Sequence, residues 1–459
     1  MLNETVRSHL DAHRDENLAA LTELLRFESI SAQPDHHDDC VGCAHWLARR
    51  LEALGLKSQI LPGTAKPLLV ATGEQRPDRP TLLIYGHYDV QPPEPLKLWT
   101  TPPFEPTVRD GDLYARGASD DKGPLMAWIA AAEAYRAVGE QWPVNLKFCI
   151  EGEEEIGSPT LEDVIAAHAE LLRCDHIAIS DTAFFAAGIP SITTALRGLA
   201  AVEVTLTGPS HDLHSGLYGG IAPNPLHALA ALVAGLHDSS GRVTLEGFYD
   251  DVVELTDTQR EQWRTLNFDE AALAAEIGVD RLTGEAGYTA LERNWARPAL
   301  DCNGLWGGYC GDGPKTVIAS WAKAKLSVRL VPRQDPRAVN ESLDRYFQKN
   351  RPAGTRVELT VQEGAAPWLL ADDAADLPAA RAAMTEAFGA PCALIGCGAS
   401  VPITVAFKRC LGIDPLMMGY ALPGDRVHSP NERFRLANFF AGAVASAALM
   451  ANLAETTDG

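Results

Sequence analysis

The sequence predicts an α/β fold: a main domain built on a mostly parallel sheet flanked by helices, plus an inserted ferredoxin-like α+β domain. Three observations predict it. Short apolar runs suited to buried strands alternate with helical patterns through the first 180 residues and again near the C-terminus. Several of these runs end in His, Asp or Glu, and strand tips are where open α/β sheets form sites. Between roughly 197 and 365 the order changes to β-α-β-β-α-β, the split unit of ferredoxin-like domains. The chain has 459 residues, room for about two to four domains. The predicted division is 1–196 with 366–459 as one domain and 197–365 as the insert.

Bulk properties exclude several classes. A formal charge of −22 disfavours nucleic acid and anionic membrane as partners. No run of eighteen apolar residues stands out as a membrane span, and the first residues lack a basic-then-apolar signal pattern. A cytoplasmic location is the resulting expectation. The nine cysteines are scattered, which argues for reduced thiols.

In chain order, residues 4–29 read as one amphipathic helix, with Leu10, Leu18, Leu21, Leu24 and Leu25 on its repeat. A second helix is expected over 40–54. Cys40 and Cys43 open it, but no second Cys-x-x-Cys completes a four-ligand zinc set, so they read as structural. Strands follow at 58–61, 68–72 and 81–86. The last runs into Tyr85-Gly86-His87-Tyr88-Asp89-Val90. His87 and Asp89, two apart, would share a strand face, and a metal-bound imidazole usually passes its second N–H to a carboxylate. Alone, His-x-Asp is a weak signal. Six prolines between Pro92 and Pro106 enforce a loop.

Arg116-Gly117-Ala118-Ser119-Asp120-Asp121-Lys122-Gly123 precedes a long apolar helix from Leu125 to Val138. Anions are stabilised at such a helix start. The strand Val144–Ile150 enters Glu151-Gly152-Glu153-Glu154-Glu155-Ile156-Gly157, four carboxylates in five residues with glycines that permit a sharp turn. A solvated acidic turn is the ordinary reading of such a run, but its place at a strand tip favours a cation site. A third strand ends in Asp181, and a fourth, Leu416–Tyr420, precedes a loop holding Asp425 and His428. His87, Asp120, Glu154, Glu155, Asp181 and His428 form a mixed N/O set suited to zinc, manganese or cobalt.

In the insert, strands are expected at 201–206, 316–320, 323–330 and 356–361, with helices at 224–237 and 337–349. Residues 245–300 read as an acidic, partly helical excursion.

The motifs Gly86–Pro92, Arg116–Gly123 and Glu151–Ser158 resemble the carboxypeptidase G, aminoacylase and carnosinase family of dinuclear metallopeptidases. Asp212-Leu213-His214-Ser215-Gly216, Lys315-Thr316-Val317-Ile318 and Val328-Arg329-Leu330-Val331-Pro332 point to its cytosolic nonspecific dipeptidase and carnosine dipeptidase branch. The resemblance implies two divalent metal ions per subunit, zinc before manganese or cobalt. His87 and Asp181 would hold one ion, Glu155 and His428 the other, and Asp120 would bridge them. Asp89 would orient His87, Glu154 would act as general base, and the Asp120–Asp121 peptide would be cis. The 366–459 and 1–196 segments would be the catalytic domain, and 197–365 a dimerisation (lid) domain giving a homodimer. His214, Thr316, Arg329 and Ser400 match the family's substrate-binding groups, one of them reaching the partner subunit's site.

Two departures bear on substrate choice: the family's Gly-Gly-Ser-Ile-Pro is Gly398-Ala399-Ser400-Val401-Pro402 here, and Ala319 stands where the family has Pro. The implied reaction is hydrolysis of a dipeptide or short-peptide amide bond. Two alternatives remain open on sequence: an N-acyl-amino-acid deacylase or desuccinylase using the same centre, and a non-catalytic binding protein. Plainer readings also exist for single residues. His214 could be a loop histidine, Arg329 a surface charge, Cys397 a small buried thiol, and Lys122 a counter-charge to Asp120 and Asp121.

Overall fold

The computed structural model describes residues 2–362 and 364–456, which divide into two compact units. The first comprises residues up to 194 with 370–395 and those from 402 onward. The second comprises 195–369 and 396–401.

The first unit is built on a mixed sheet. Its strands run in the order Lys57–Leu61, Leu68–Thr72, Asn145–Glu151, Thr81–His87, His176–Ile179, Leu416–Met418 and Ser191–Leu196. The four central strands, Asn145–Glu151 through Leu416–Met418, are mutually parallel. The outer ones are antiparallel. Thr81–His87 and Asn145–Glu151 are buried at every position, which explains their unbroken apolar reading. Their register places His87 opposite Glu151, so the acidic turn after Glu151 emerges beside His87.

The helix Lys122–Ala137 is buried nearly all round. It packs on Thr81–His87 and against Arg14–Leu25 and Leu436–Thr456. Among the described residues, Leu436–Glu455 alone is long and apolar enough to cross a membrane by length and composition, although no such stretch was expected. It is 72% buried and packs against Lys122–Ala137 and Leu377–Phe388 as a core helix.

The expected helix 4–29 is two helices, Glu4–Ala12 and Arg14–Leu25. His13 breaks it, with φ −112° and ψ 32°. The His13 ring Nδ1 lies 2.9 Å from the His9 carbonyl, a local side-chain bond that competes with the helical ladder. Cys40 and Cys43 are buried free thiols on the helix His37–Ala53. Burial pushes them up to about 12 and about 11.

The second unit carries a four-stranded antiparallel sheet, Ala299–Gly307, Trp321–Leu330, Gly198–Thr207 and Arg356–Val361. Helices Pro225–Ala234 and Pro336–Asn350 cover one face, over Ala200, Val202, Val204, Leu206, Ala324, Leu326 and Val328. Arg329 alternates onto the other face. One expected strand is misplaced. Residues 316–320 contribute only Val317–Ile318, which pairs with Leu213–His214. The sheet's fourth strand is Ala299–Gly307. Its register shifts between Cys302 and Gly304, so its side chains lose the period-two signature by which strands are read.

The 245–300 excursion holds helices Asp257–Arg264, Glu270–Glu276 and Ala290–Ala296. Arg297 anchors it. Its buried guanidinium meets the Glu285 carboxylate through Nε and Nη2, at 2.8 and 2.9 Å.

Candidate metal centre

Five sequence-predicted ligands, all in the first unit, come together as two overlapping triads: His87, Asp120 and Asp181, and Asp120, Glu155 and His428. Within each triad the ligand atoms lie within 4.8 Å of one another. Asp120 belongs to both and splits its oxygens between them. Its Oδ1 lies 3.0 Å from His87 Nε2, and its Oδ2 lies 2.9 Å from His428 Nε2. Asp181 Oδ2 is 3.7 Å from His87 Nε2, and Glu155 Oε2 is 3.1 Å from His428 Nε2.

The local chain explains these positions. His87 closes its strand and is fully buried. The Asp120–Asp121 peptide is cis. The Glu154–Ile156 turn ends at Gly157, φ 88°, where a left-handed backbone favours glycine. His428 itself is left-handed, φ 61°. Asp89 ties two segments together. Its main-chain oxygen is 3.1 Å and its Oδ1 3.4 Å from His87 Nδ1, while its two carboxylate oxygens accept the N–H groups of Glu154 and Glu155 at 3.2 and 3.1 Å.

The crowded carboxylates shift one another and the two imidazoles. Burial, then the Asp120 charge, pushes Asp181 up to about 7. Burial pushes Glu154 up to about 9; His87 opposes, and Asp181, Asp120 and Glu155 reinforce. Hydrogen bonds that its ring donates to the Asp120 and Glu155 carboxylates raise the His428 pKa to about 10. Burial works against charging His87, but Asp120 and Asp89 outweigh it and raise its pKa. Metal ions compete with those protons for the same ring nitrogens. Two imidazoles and three carboxylates, with one carboxylate divided between two groups, fit a pair of divalent ions bound by N and O donors.

Asp121 does not cap the helix after it. Its Oδ2 accepts the His87 N–H at 3.2 Å, and its buried Oδ1 has no hydrogen-bond partner among the described residues. Lys122 is buried and donates to the Phe27 carbonyl at 2.8 Å. Cys397 is half-buried, and its sulfur accepts the Ala399 N–H.

The four substrate-binding candidates lie in the second unit. His214 and Thr316 are neighbours across the Leu213–His214 and Val317–Ile318 pairing, where Ser215 N–H meets the Thr316 carbonyl. His214 Nδ1 accepts the Gly216 N–H at 3.0 Å, which leaves Nε2–H as a donor. Ser400 donates its hydroxyl to the Arg197 carbonyl at 2.6 Å. Arg197, which no sequence signal singled out, is lowered to about 10 by burial and then by the Arg329 charge. The two guanidinium charges, close enough to act on one another, favour an anion nearby.

The model of peptidase family M20/M25/M40 matches residues 83–452. The Cys-Gly metallodipeptidase dug1 of Schizosaccharomyces pombe is 32% identical over 94% of this chain and 94% of its own. The human Beta-Ala-His dipeptidase is 31% identical over 99% of this chain and 93% of its own. Among solved structures, the M20 family metallo-carboxypeptidase Sso-CP2 from Sulfolobus solfataricus superposes with a TM-score of 0.81 at 32% identity, covering 96% of this chain and 99% of that one. On its motifs, its fold and these matches, the chain belongs to peptidase family M20/M25/M40 and is a peptidase.

Proposed function

We propose that this peptidase is a dinuclear metallodipeptidase that hydrolyses the amide bond of dipeptides. The observation that carries the reading is the division of the Asp120 carboxylate between two triads, each completed by one histidine and one carboxylate. His87 and Asp181 would hold one ion, Glu155 and His428 the other, with Asp120 between them. When bound, such ions polarise the substrate carbonyl and acidify the attacking water; zinc is the first choice, with manganese or cobalt as alternatives.

The chain's own residues supply the rest. Glu154 adjoins the ligand Glu155, and the Asp89 carboxylate holds its backbone. Glu154, ionised once bound cations offset burial and the Asp181, Asp120 and Glu155 charges that raise its pKa, takes a proton from the attacking water and returns it to the leaving amine. Asp89 steadies His87. His214, with Nε2–H available, is the donor assigned to the developing oxyanion. Arg329 is assigned to the substrate carboxylate through paired hydrogen bonds, and Thr316 and Ser400 are assigned to substrate binding as well. Residues 197–365 serve as a dimerisation and lid domain. In support, Leu217 and Ile221, just after His214, are 69% and 78% exposed, an apolar patch suited to a second copy of the chain. Nine free cysteines accord with a cytoplasmic location.

The test is a panel of dipeptides beside N-acetyl and N-succinyl amino acids. It uses metal-stripped protein reloaded with zinc or manganese, with Glu154→Ala as control. Metal-dependent dipeptide cleavage that falls about 10²–10⁴-fold in the variant, with metal content unchanged, is the expected result. Turnover of acyl amino acids alone would make the protein a deacylase on the same centre. No turnover by fully metallated protein would make it a binding protein.

A further inference from the structure

Glu432 lies four residues beyond His428 and is fully buried. Its carboxylate reaches across to the loop that ends in Asp120. Oε2 accepts from Arg116 Nη1 at 2.7 Å and from the Gly117 N–H at 3.0 Å. Oε1 accepts from the Ser119 N–H at 2.9 Å and the Asp120 N–H at 3.3 Å. One side chain therefore holds four donors, three of them main-chain N–H groups in the four residues up to and including Asp120. A neighbouring carboxylate repeats the link: Asp425 Oδ2 accepts the Ser119 hydroxyl at 3.1 Å and the Leu422 N–H at 2.7 Å. The Ser119 hydroxyl also lies 2.7 Å from the Arg433 carbonyl. The loops carrying Asp120 and His428 are thus joined through buried carboxylates.

We propose that Glu432 is a positioning residue for the dinuclear centre: it fixes the Asp120 backbone so that each Asp120 oxygen faces its own metal group, and it locks that loop to the segment bearing His428. The inference rests on the ligand assignment proposed above. It requires a carboxylate, because both oxygens accept and no donor is wanted. In Glu432→Gln the amide must turn its NH₂ towards either Gly117 or the Ser119 and Asp120 pair, setting donor against donor. The loop must then shift, and Asp120 with it. Because Asp120 serves both groups, both ions weaken together.

The experiment measures metal binding to stripped protein by competition with a chromogenic chelator, beside thermal melting of the metal-free form. Wild type is expected to take two ions. Glu432→Gln is expected to lose about 10–100-fold in affinity for both, the range for groups that orient metal ligands. Asp181→Asn, which touches one triad, is expected to weaken one ion more than the other. Glu285→Gln, which breaks the Arg297 pair in the second unit, is expected to lower the melting temperature while leaving metal affinity unchanged; this separates loss of stability from loss of positioning. If Glu432→Gln fails to fold with Arg116 unpaired, the double variant Arg116→Met with Glu432→Met removes the buried charge imbalance. It too is expected to fold and bind both ions weakly. Wild-type affinity for two ions in a folded Glu432 variant would overturn the proposal. Fewer than two ions in wild type would instead overturn the ligand assignment.

Discussion

Asp89 shows how few atoms hold this centre. Its two carboxylate oxygens accept the N–H groups of Glu154 and Glu155, and it also faces the His87 imidazole. The proposed base, a proposed ligand from each triad and the strand tip thus share one small acid. Replacing Asp89 with Ala is expected to cost about 10–100-fold in metal affinity and to release the Glu154 turn, so that kcat falls with it. Metal competition and steady-state kinetics on the same preparation check this; unchanged affinity would reduce Asp89 to a passive core residue. At this scale the sequence is legible where a residue breaks a pattern. His87, Asp181 and the Glu151–Glu155 run stand out because polar groups end apolar strands. Glu432 does not stand out. Its partners lie more than 300 residues away in sequence, and three of the four are main-chain N–H groups that no pattern displays.

Elements were legible to the degree that their periodicity was intact. The central parallel strands read correctly because both faces are buried and the apolar run is unbroken. Ala299–Gly307 is illegible in sequence because its register shift scrambles the alternation, and the N-terminal helix reads as one piece because His13 carries no Pro- or Gly-like breaking signal. The start of Lys122–Ala137 is constrained by packing that sequence alone does not show. A Cβ on Gly123 would stand 2.0 Å from the Ala118 carbonyl oxygen and 2.6 Å from the Phe434 ring. Gly123→Ala is therefore expected to destabilise the first unit by at least the usual overpacking cost, about 1–3 kcal/mol, despite alanine's higher helix propensity. Denaturant unfolding of the metal-free protein checks this, and a neutral result would show that the helix can slide.

For the whole molecule, the proposed homodimer makes the sharpest claim. His214 and the exposed Leu217 and Ile221 lie together in the second unit, so association there would bury the patch while bringing His214 towards another subunit. Light scattering is expected to give twice the chain mass. A monomer at micromolar concentration would remove any role for His214 in a partner's site.

The first unit is assembled from three separated stretches, with residues 195–369 made between the first and second. On the ribosome this order sets a schedule. His87, Asp120, Glu155 and Asp181 are made well before His428, and the core helix Leu436–Thr456 comes after all of them. The intervening unit, with its own sheet and apolar core, is nearly complete while the first still lacks a ligand and a packing partner. On the proposed ligand assignment, a nascent chain stalled before residue 428 would carry the triad of His87, Asp120 and Asp181 but lack His428, which the second triad needs.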